Sequence, residues 1–196
     1  MKKLAKIVTV AIFLLPAEIS AQDFDAGLAA MKSGDFETAL SEWVPLAEQG
    51  HGLAQHNIAT IYLRSEGVEQ DIDKSTYWFR AAAEQGLSES QYNLGQIFLH
   101  GGPIEATEAV HWFRAAAKQG HSFAQHNLGG MYYFGRGVAQ SDMLARMWYE
   151  IAFINGDDKG ATSMENVGRR MTPEDINAAR NHVWTCMESN YENCGD

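Results

Sequence analysis

QHNLGGMYYFGRGV, residues 125–138, repeats an earlier segment of the same chain, QHNIATIYLRSEGV at residues 55–68. Six of the fourteen positions are identical, and a third copy, QYNLGQIFLHGGPI, occupies residues 91–104. Four tryptophans recur with a period of 34 to 36 residues: Trp43, Trp78, Trp112 and Trp148. Such a period is typical of a solenoid, in which each unit buries its apolar face against its neighbours.

The first half of each unit has the pattern of an amphipathic helix, exemplified by Ser122–Phe134. Apolar or small residues at positions i, i+1 and i+4 predict its core face. They are Ile58, Ala59, Tyr62, Leu94, Gly95, Phe98, Leu128, Gly129 and Tyr132. The spacing of Ser122 and Gln125 matches a capping box, so we expect both side chains to satisfy backbone groups at the start of this helix.

The second half of each unit predicts another helix, in which a tryptophan, a second aromatic residue and two alanines face the core. It stops at a glycine, which adopts the left-handed backbone that ends many helices. The four glycines are Gly50, Gly86, Gly120 and Gly156. No strand-like alternation occurs after residue 21, so we predict an all-α fold.

The first 21 residues have the composition of a secretory signal peptide. A basic start, MKKLAK, precedes nine apolar residues, IVTVAIFLL, and Ala21 supplies the small residue before the expected cleavage at Gln22. An uncleaved membrane anchor is the alternative, but nine apolar residues are far fewer than the roughly 20 needed to cross a bilayer. We therefore expect residues 1–21 to be removed and the protein to be periplasmic or secreted.

Charge and cysteine content limit the partners and the compartment. After cleavage the chain would carry 12 basic and 24 acidic side chains, a formal charge of −12, which disfavours nucleic acid and anionic membranes as partners. The only two cysteines, Cys186 and Cys194, predict one disulfide in an exported chain. They would lie about 12 Å apart on a continuous helix, so that helix must end near Ser189–Asn190. A redox-active or metal-binding pair would require CxxC spacing or further ligands.

The segment that precedes the cysteines predicts a terminal helix. Thr172 is the expected N-cap and Pro173 the first helical residue. Val183, Trp184 and Met187 offer an apolar face. We expect this helix to cover the last repeat, because the end units of a solenoid have no further neighbour to shield them.

These motifs resemble the SEL-one-like repeat family, whose units are slightly longer than tetratricopeptide repeats. The family pattern is A-Q-x-x-L-G-x-x-Y-x-x-G-x-G-V followed by W-[YF]-x-x-A-A-x-Q-G, and residues 124–138 match its first part almost throughout. Ser65 replaces the first loop glycine of unit one, and unit two is two residues short. The resemblance implies a right-handed α-solenoid of helix–turn–helix repeats and an adaptor that binds other proteins.

We therefore expect a single α-solenoid domain over residues 22–196. It would comprise a leading helix pair at 22–50, repeats at 51–86, 87–120 and 121–156, and capping helices with a disulfide-closed tail at 157–196. We expect this domain to be monomeric and not to insert into a membrane once the signal peptide is removed.

Candidate catalytic and metal-binding patterns are weak. The pairs His51/His56 and His121/His126 are five residues apart, which places the two rings of a pair on different faces of a helix. The sequence contains no HExxH, no paired Cys/His cluster, no Gly-rich phosphate loop and no G-x-S-x-G. We predict no catalytic residue, no metal and no cofactor; an envelope enzyme acting on peptides or glycans is the alternative.

The first helices leave one face unassigned, opposite the core stripe, and the resemblance implies that they line the concave side of the solenoid. This face carries His, Tyr, Phe, Leu and Gln, a mix typical of binding surfaces. The predicted partner-binding residues are His56, Thr60, Leu63, Arg64, Tyr92, Gln96, Leu99, His100, His126, Gly130, Tyr133 and Phe134. We predict a non-catalytic adaptor or regulator of the bacterial periplasm that binds a protein or peptide partner there. Coverage by neighbouring repeats is the alternative for some of these positions.

Overall fold

The structure is a computed structural model that describes the backbone of residues 16–99 and 103–195, and the side chains of 24–99 and 105–195. All regular secondary structure in these ranges is α-helical, as predicted. The helices are α1 (Pro16–Ser33), α2 (Phe36–Glu48), α3 (Gly52–Arg64), α4 (Ile72–Glu84), α5 (Ser88–Leu99), α6 (Pro103–Ala117), α7 (Ser122–Phe134), α8 (Asp142–Ile154), α9 (Lys159–Gly168) and α10 (Pro173–Glu188). Within the described ranges no helix combines the length and the apolar composition that a membrane span requires. Most of the predicted signal peptide and the predicted site residue His100 lie outside the described residues.

Consecutive helices pack as pairs that stack into a solenoid. Helix α1 packs on α2, α3 on α4, α5 on α6 and α7 on α8. The second helix of each pair also contacts the first helix of the next pair, and both α9 and α10 pack against α8 at the C-terminal end. The predicted all-α solenoid is therefore confirmed.

The predicted core stripe is buried at its centre. Ile58, Leu94 and Leu128 are fully shielded from solvent, and the small residue that follows each of them is buried as well. At Gly95 an added Cβ would lie 2.7 Å from the ring of Phe113, so a larger residue would force α5 and α6 apart. The stripe thus joins the two helices of one repeat at short range.

The capping box predicted at Ser122 and Gln125 is wrong. Helix α7 is capped instead by His121, whose Nδ1 accepts the backbone N–H of Ala124 at 3.2 Å. His51 caps α3 in the same way. Because a histidine ring satisfies the free backbone donor, Ser122 becomes the first helical residue and the Gln125 side chain turns toward the preceding repeat.

Three buried glutamines join each repeat to the helix pair before it and bridge the two helices of their own repeat, in an arrangement that we call the glutamine ladder. Each Nε2 donates to a carbonyl in the last turn of the preceding second helix, at 2.9 to 3.0 Å: Gln55 to Ala47, Gln91 to Ala83 and Gln125 to Ala117. Each Oε1 accepts from the amide that ends the following second helix, at 2.7 to 2.9 Å: Gln85 to Gln55, Gln119 to Gln91 and Asn155 to Gln125. The three glutamines are at most 6% exposed, so water cannot replace these bonds.

The C-terminal tail closes on the last repeat through the predicted disulfide. Cys186 in α10 is bonded to Cys194, and α10 ends at Glu188, as this pairing requires. Tyr191 lies between the two cysteines, and its hydroxyl accepts a hydrogen bond from Asn155 at 3.0 Å. The tail therefore meets the last amide of the glutamine ladder.

Helix α10 begins as predicted, with Thr172 as N-cap and Pro173 in its first turn. Its buried residues are Ala179, Val183 and Cys186. The assignment of Trp184 to the packed face was wrong, because its side chain is 59% exposed. Adjacent residues of a helix point about 100° apart, so the helix that buries Val183 turns Trp184 away from the last repeat.

Replacing Gln125 with leucine should lower the free energy of unfolding by about 1–3 kcal/mol, because two buried hydrogen bonds are lost without a polar substitute. The matched control is Gln140→Leu, since the Gln140 side chain makes one exposed hydrogen bond, to the carbonyl of Tyr133. This control should change stability by less than about 1 kcal/mol. Urea unfolding followed by circular dichroism measures both variants, and equal losses would contradict a special role for the ladder.

Candidate binding groove

A groove of about 740 Å³ runs across the first helices of consecutive repeats, from α3 over α5 to the start of α7. Helix α3 lines it with His56, Asn57, Thr60, Leu63 and Arg64. Helix α5 contributes Glu89, Tyr92 and Asn93, and the third repeat contributes His121 and Phe123. The period of the sequence thus places equivalent helix faces in one depression.

Aromatic rings and one carboxylate gather on the α7 side of the groove. Tyr92 stacks on His121 with ring centroids 4.7 Å apart, and its centroid lies 6.3 Å from that of Phe123. Phe123 is 54% exposed. The Glu89 carboxylate lies 3.3 Å from His121 Nε2. This side of the groove therefore combines apolar surface with a negative charge.

Asparagines hold an equivalent position in all three repeats. Asn57 and Asn93 line the groove, and Asn127 lines a second cavity of about 220 Å³ farther along the solenoid. All three are partly exposed, and the described residues offer their side chains no hydrogen bond. An amide carries both donors and acceptors, so this row presents unused hydrogen-bonding groups to a ligand.

The structure distributes the predicted partner-binding residues over separate cavities. The groove receives His56, Thr60, Leu63, Arg64 and Tyr92. The second cavity receives Leu99, His126, Gly130 and Phe134, and a third cavity of about 520 Å³ beside α9 receives Tyr133 together with His126 and Phe134. Gln96 donates to the Tyr92 hydroxyl at 2.9 Å.

Two of the predicted residues contact buried side chains of the protein, and one of these contacts joins two repeats. His56 Nδ1 lies 2.8 Å from Oγ of buried Ser90 in the next repeat, and His126 contacts the carboxylate of buried Asp157. Burial lowers the pKa of His56, and the positive charge of Arg64 acts in the same direction, whereas Glu89 opposes both. His56 therefore favours its neutral form in the folded protein.

Sequence reasoning missed nine of the residues that line the groove: Met31, Phe36, Asn57, Glu66, Phe79, Glu89, Asn93, His121 and Phe123. The asparagines could have been found, because each directly follows His56 or Tyr92 in the repeated Q-[HY]-N motif. Glu89 and Phe123 had no such signal, since their place in the groove depends on how successive repeats are stacked.

A metal centre does not form in the described part of the chain. No group of three or more His, Cys, Asp or Glu side chains there is arranged to hold a metal ion. Burial raises the pKa of Tyr149, which lines the second and third cavities, to about 12, so its hydroxyl stays protonated near neutral pH.

Comparison with known proteins identifies the repeat. Residues 52–87, 88–121 and 122–157 each match the Sel1 repeat, and together they make up more than half of the chain. The chain belongs to the Sel1 repeat family. The SEL-one-like resemblance inferred from the motifs is therefore confirmed. Sel1 repeats generally mediate protein–protein interaction and are typically non-catalytic.

Similar Sel1 repeat proteins occur in bacteria and in a giant virus. The crystal structure of a Sel1 repeat protein from Oxalobacter formigenes is 34% identical, with a TM-score of 0.57, and the match covers 65% of this chain and 97% of that one. The protective antigen c5321, present in uropathogenic Escherichia coli strains and displaying an SLR fold, is 25% identical with a TM-score of 0.49, over 88% of this chain and 47% of the antigen.

A sel1-like repeat-containing protein of Acanthamoeba polyphaga mimivirus is 38% identical over 53 residues, which are 27% of this chain and 10% of the viral protein. The present chain thus spans a tenth of that viral protein and about half of the antigen.

Acid should destabilise this Sel1 repeat protein in part through His56. Because burial lowers the pKa of His56 in the folded state, the unfolded chain takes up a proton below about pH 6.5 that the folded protein resists, and stability falls with pH. His56→Gln should therefore lose less unfolding free energy than the wild type between about pH 7.5 and about pH 5.5. Urea titrations at both pH values test this, and coincident pH dependence of the two proteins would contradict it.

Proposed function

We propose that this Sel1 repeat protein is a non-catalytic adaptor that binds an extended segment of another protein in the groove across α3, α5 and α7. The single observation that carries this proposal is the pair Asn57 and Asn93, whose side-chain amides line the groove without a hydrogen-bond partner among the described residues. Equivalent residues of two repeats thus offer the same chemistry at successive points of one channel.

An asparagine amide can pair with a peptide group in both directions, as donor and as acceptor. A peptide in extended conformation has free main-chain N–H and C=O groups along its length, which such amides can satisfy regardless of its sequence. Apolar groove residues would then select side chains. Leu63 of α3 and Phe123 of α7 are examples, since both line the groove and Phe123 is more than half exposed.

We further propose that the protein works in the bacterial periplasm or outside the cell, because its first 21 residues have the order of charges and apolar residues of a signal peptide. Expression of the full chain in a bacterial host should yield periplasmic protein that starts at Gln22, as intact-mass measurement of the periplasmic fraction would show. A protein that keeps residues 1–21 in the cytoplasmic fraction would refute this part of the proposal.

Site-specific cross-linking in cells tests the binding groove. A photoreactive benzoylphenylalanine at Phe123 should form covalent adducts with a partner, whereas the same group at Tyr77, which is 64% exposed and outside the groove, should form few. In the protein labelled at position 123, the double substitution Asn57→Ala and Asn93→Ala should reduce the yield of adducts, because the amides that bind the main chain of the partner are lost.

The matched control for the asparagine pair is Asn177→Ala with Asn181→Ala, two exposed positions on α10. It removes the same number of amides and should leave the adducts unchanged. Adducts that form equally from both labelled positions, or that survive loss of the groove asparagines, would overturn the assignment of the groove as the binding site.

A further inference from the structure

We propose that the groove selects a cationic partner segment: a lysine or arginine side chain lies against Tyr92 and Phe123 with Glu89 as its counter-ion. This proposal rests on the proposed function, since it names the class of peptide that the groove receives. Three features support it: the exposed carboxylate of Glu89, the aromatic rings of Tyr92 and Phe123 beside it, and the net negative charge of the chain.

Among the described residues, Glu89 forms no ion pair with a lysine or arginine side chain. Its side chain is 69% exposed, and its contact is His121 Nε2 at 3.3 Å. His121 Nδ1 accepts the N–H of Ala124, and Nε2 of the same ring faces the Glu89 carboxylate. The histidine thus contacts one side of the carboxylate, and the exposed remainder of the Glu89 side chain is available to a ligand.

The one arginine in the groove already has a partner. Arg64 lies 3.7 Å from Glu66, which also lines the groove. This pairing leaves Glu89 as the carboxylate of the groove that has no lysine or arginine partner among the described residues. A positively charged ligand side chain therefore completes the charge balance, whereas an acidic one would add to the repulsion.

The aromatic faces beside Glu89 suit a cation, and the protein uses the same contact elsewhere. Arg80 lies over the Phe98 ring at 5.5 Å, and Arg170 lies over the Tyr133 ring at 4.8 Å. Cations within about 6 Å of a ring centroid are attracted to its face. Among the described residues, no lysine or arginine lies over Tyr92 or Phe123, and the Phe123 side chain is 54% exposed to a ligand.

The charge of the whole chain favours the same ligand. Its formal charge is −10, from 25 acidic and 15 basic residues. A field of this sign raises the rate at which cationic segments reach the groove and slows acidic ones. Steering by the field acts over the whole surface, so the local role of Glu89 has to be separated from it by experiment.

The test is a nuclear magnetic resonance titration of the mature protein with two nonapeptides. One is (Lys-Ala-Ala)₃ and the other is its counterpart in which each lysine is Nε-acetylated, which keeps the stem and removes the charge. The lysine peptide should bind more tightly and shift the amide signals of Glu89 and Phe123. Glu89→Gln should weaken the binding of the lysine peptide about fivefold. The same substitution should change the affinity for the acetylated peptide little.

The matched control is Glu188→Gln, which removes one exposed charge at the end of α10. It should leave the affinity for the lysine peptide nearly unchanged. Equal weakening by both glutamate variants would reduce the effect to diffuse attraction and overturn the proposal. If both peptides bind in the groove with equal affinity, the cationic preference fails and the proposed function stands. If neither peptide shifts groove signals, both fail.

Discussion

The glutamine ladder is the constraint on which the solenoid depends. In a solenoid each unit contacts only its neighbours, so the seating of one repeat on the next determines the shape of the whole. Hydrophobic contact is non-directional and tolerates small slides, whereas a hydrogen bond requires a narrow range of distance and angle. Gln91 binds the carbonyl of Ala83 before it and the amide of Gln119 after it. One buried side chain of α5 therefore fixes α4, α5 and α6 relative to each other.

The same constraint explains the construction of the C-terminal end. The last amide of the ladder is Asn155, which donates both to Gln125 and to the hydroxyl of Tyr191. Tyr191 comes from the tail, beyond the end of α10, and the Cys186–Cys194 disulfide closes the segment that contains it. A short tail would otherwise fray, because it has few apolar contacts of its own. The disulfide thus keeps in place a residue that ends the ladder.

The sequence predicted the structural features that depend on local pattern. It failed for side chains whose contacts depend on how the helices of successive units are packed. The period, the core stripe at Leu94 and Leu128 and the pairing of the two cysteines all follow from spacing along the chain, and the structure contains them. Gln125 was assigned to a capping box because its local spacing fits one, but its bonds go to the preceding and following second helices. His56 is predicted as a partner-binding residue, and its ring also contacts Ser90 of the next repeat, which the sequence did not predict. Such contacts depend on the rotation between units, which no single repeat encodes.

The Q-[HY]-N motif links the fold to the groove within three consecutive residues. Adjacent positions of a helix point about 100° apart, so the direction of one side chain sets the directions of the next two. In the second repeat Gln91 is held in the ladder, Tyr92 stacks on His121 of the third repeat, and Asn93 faces the groove. The first and second residues join neighbouring units, and the third presents its amide to the open channel. The spacing of the groove asparagines is consequently set by the same bonds that set the spacing of the repeats, so the ladder that stabilises the solenoid also places its binding groups.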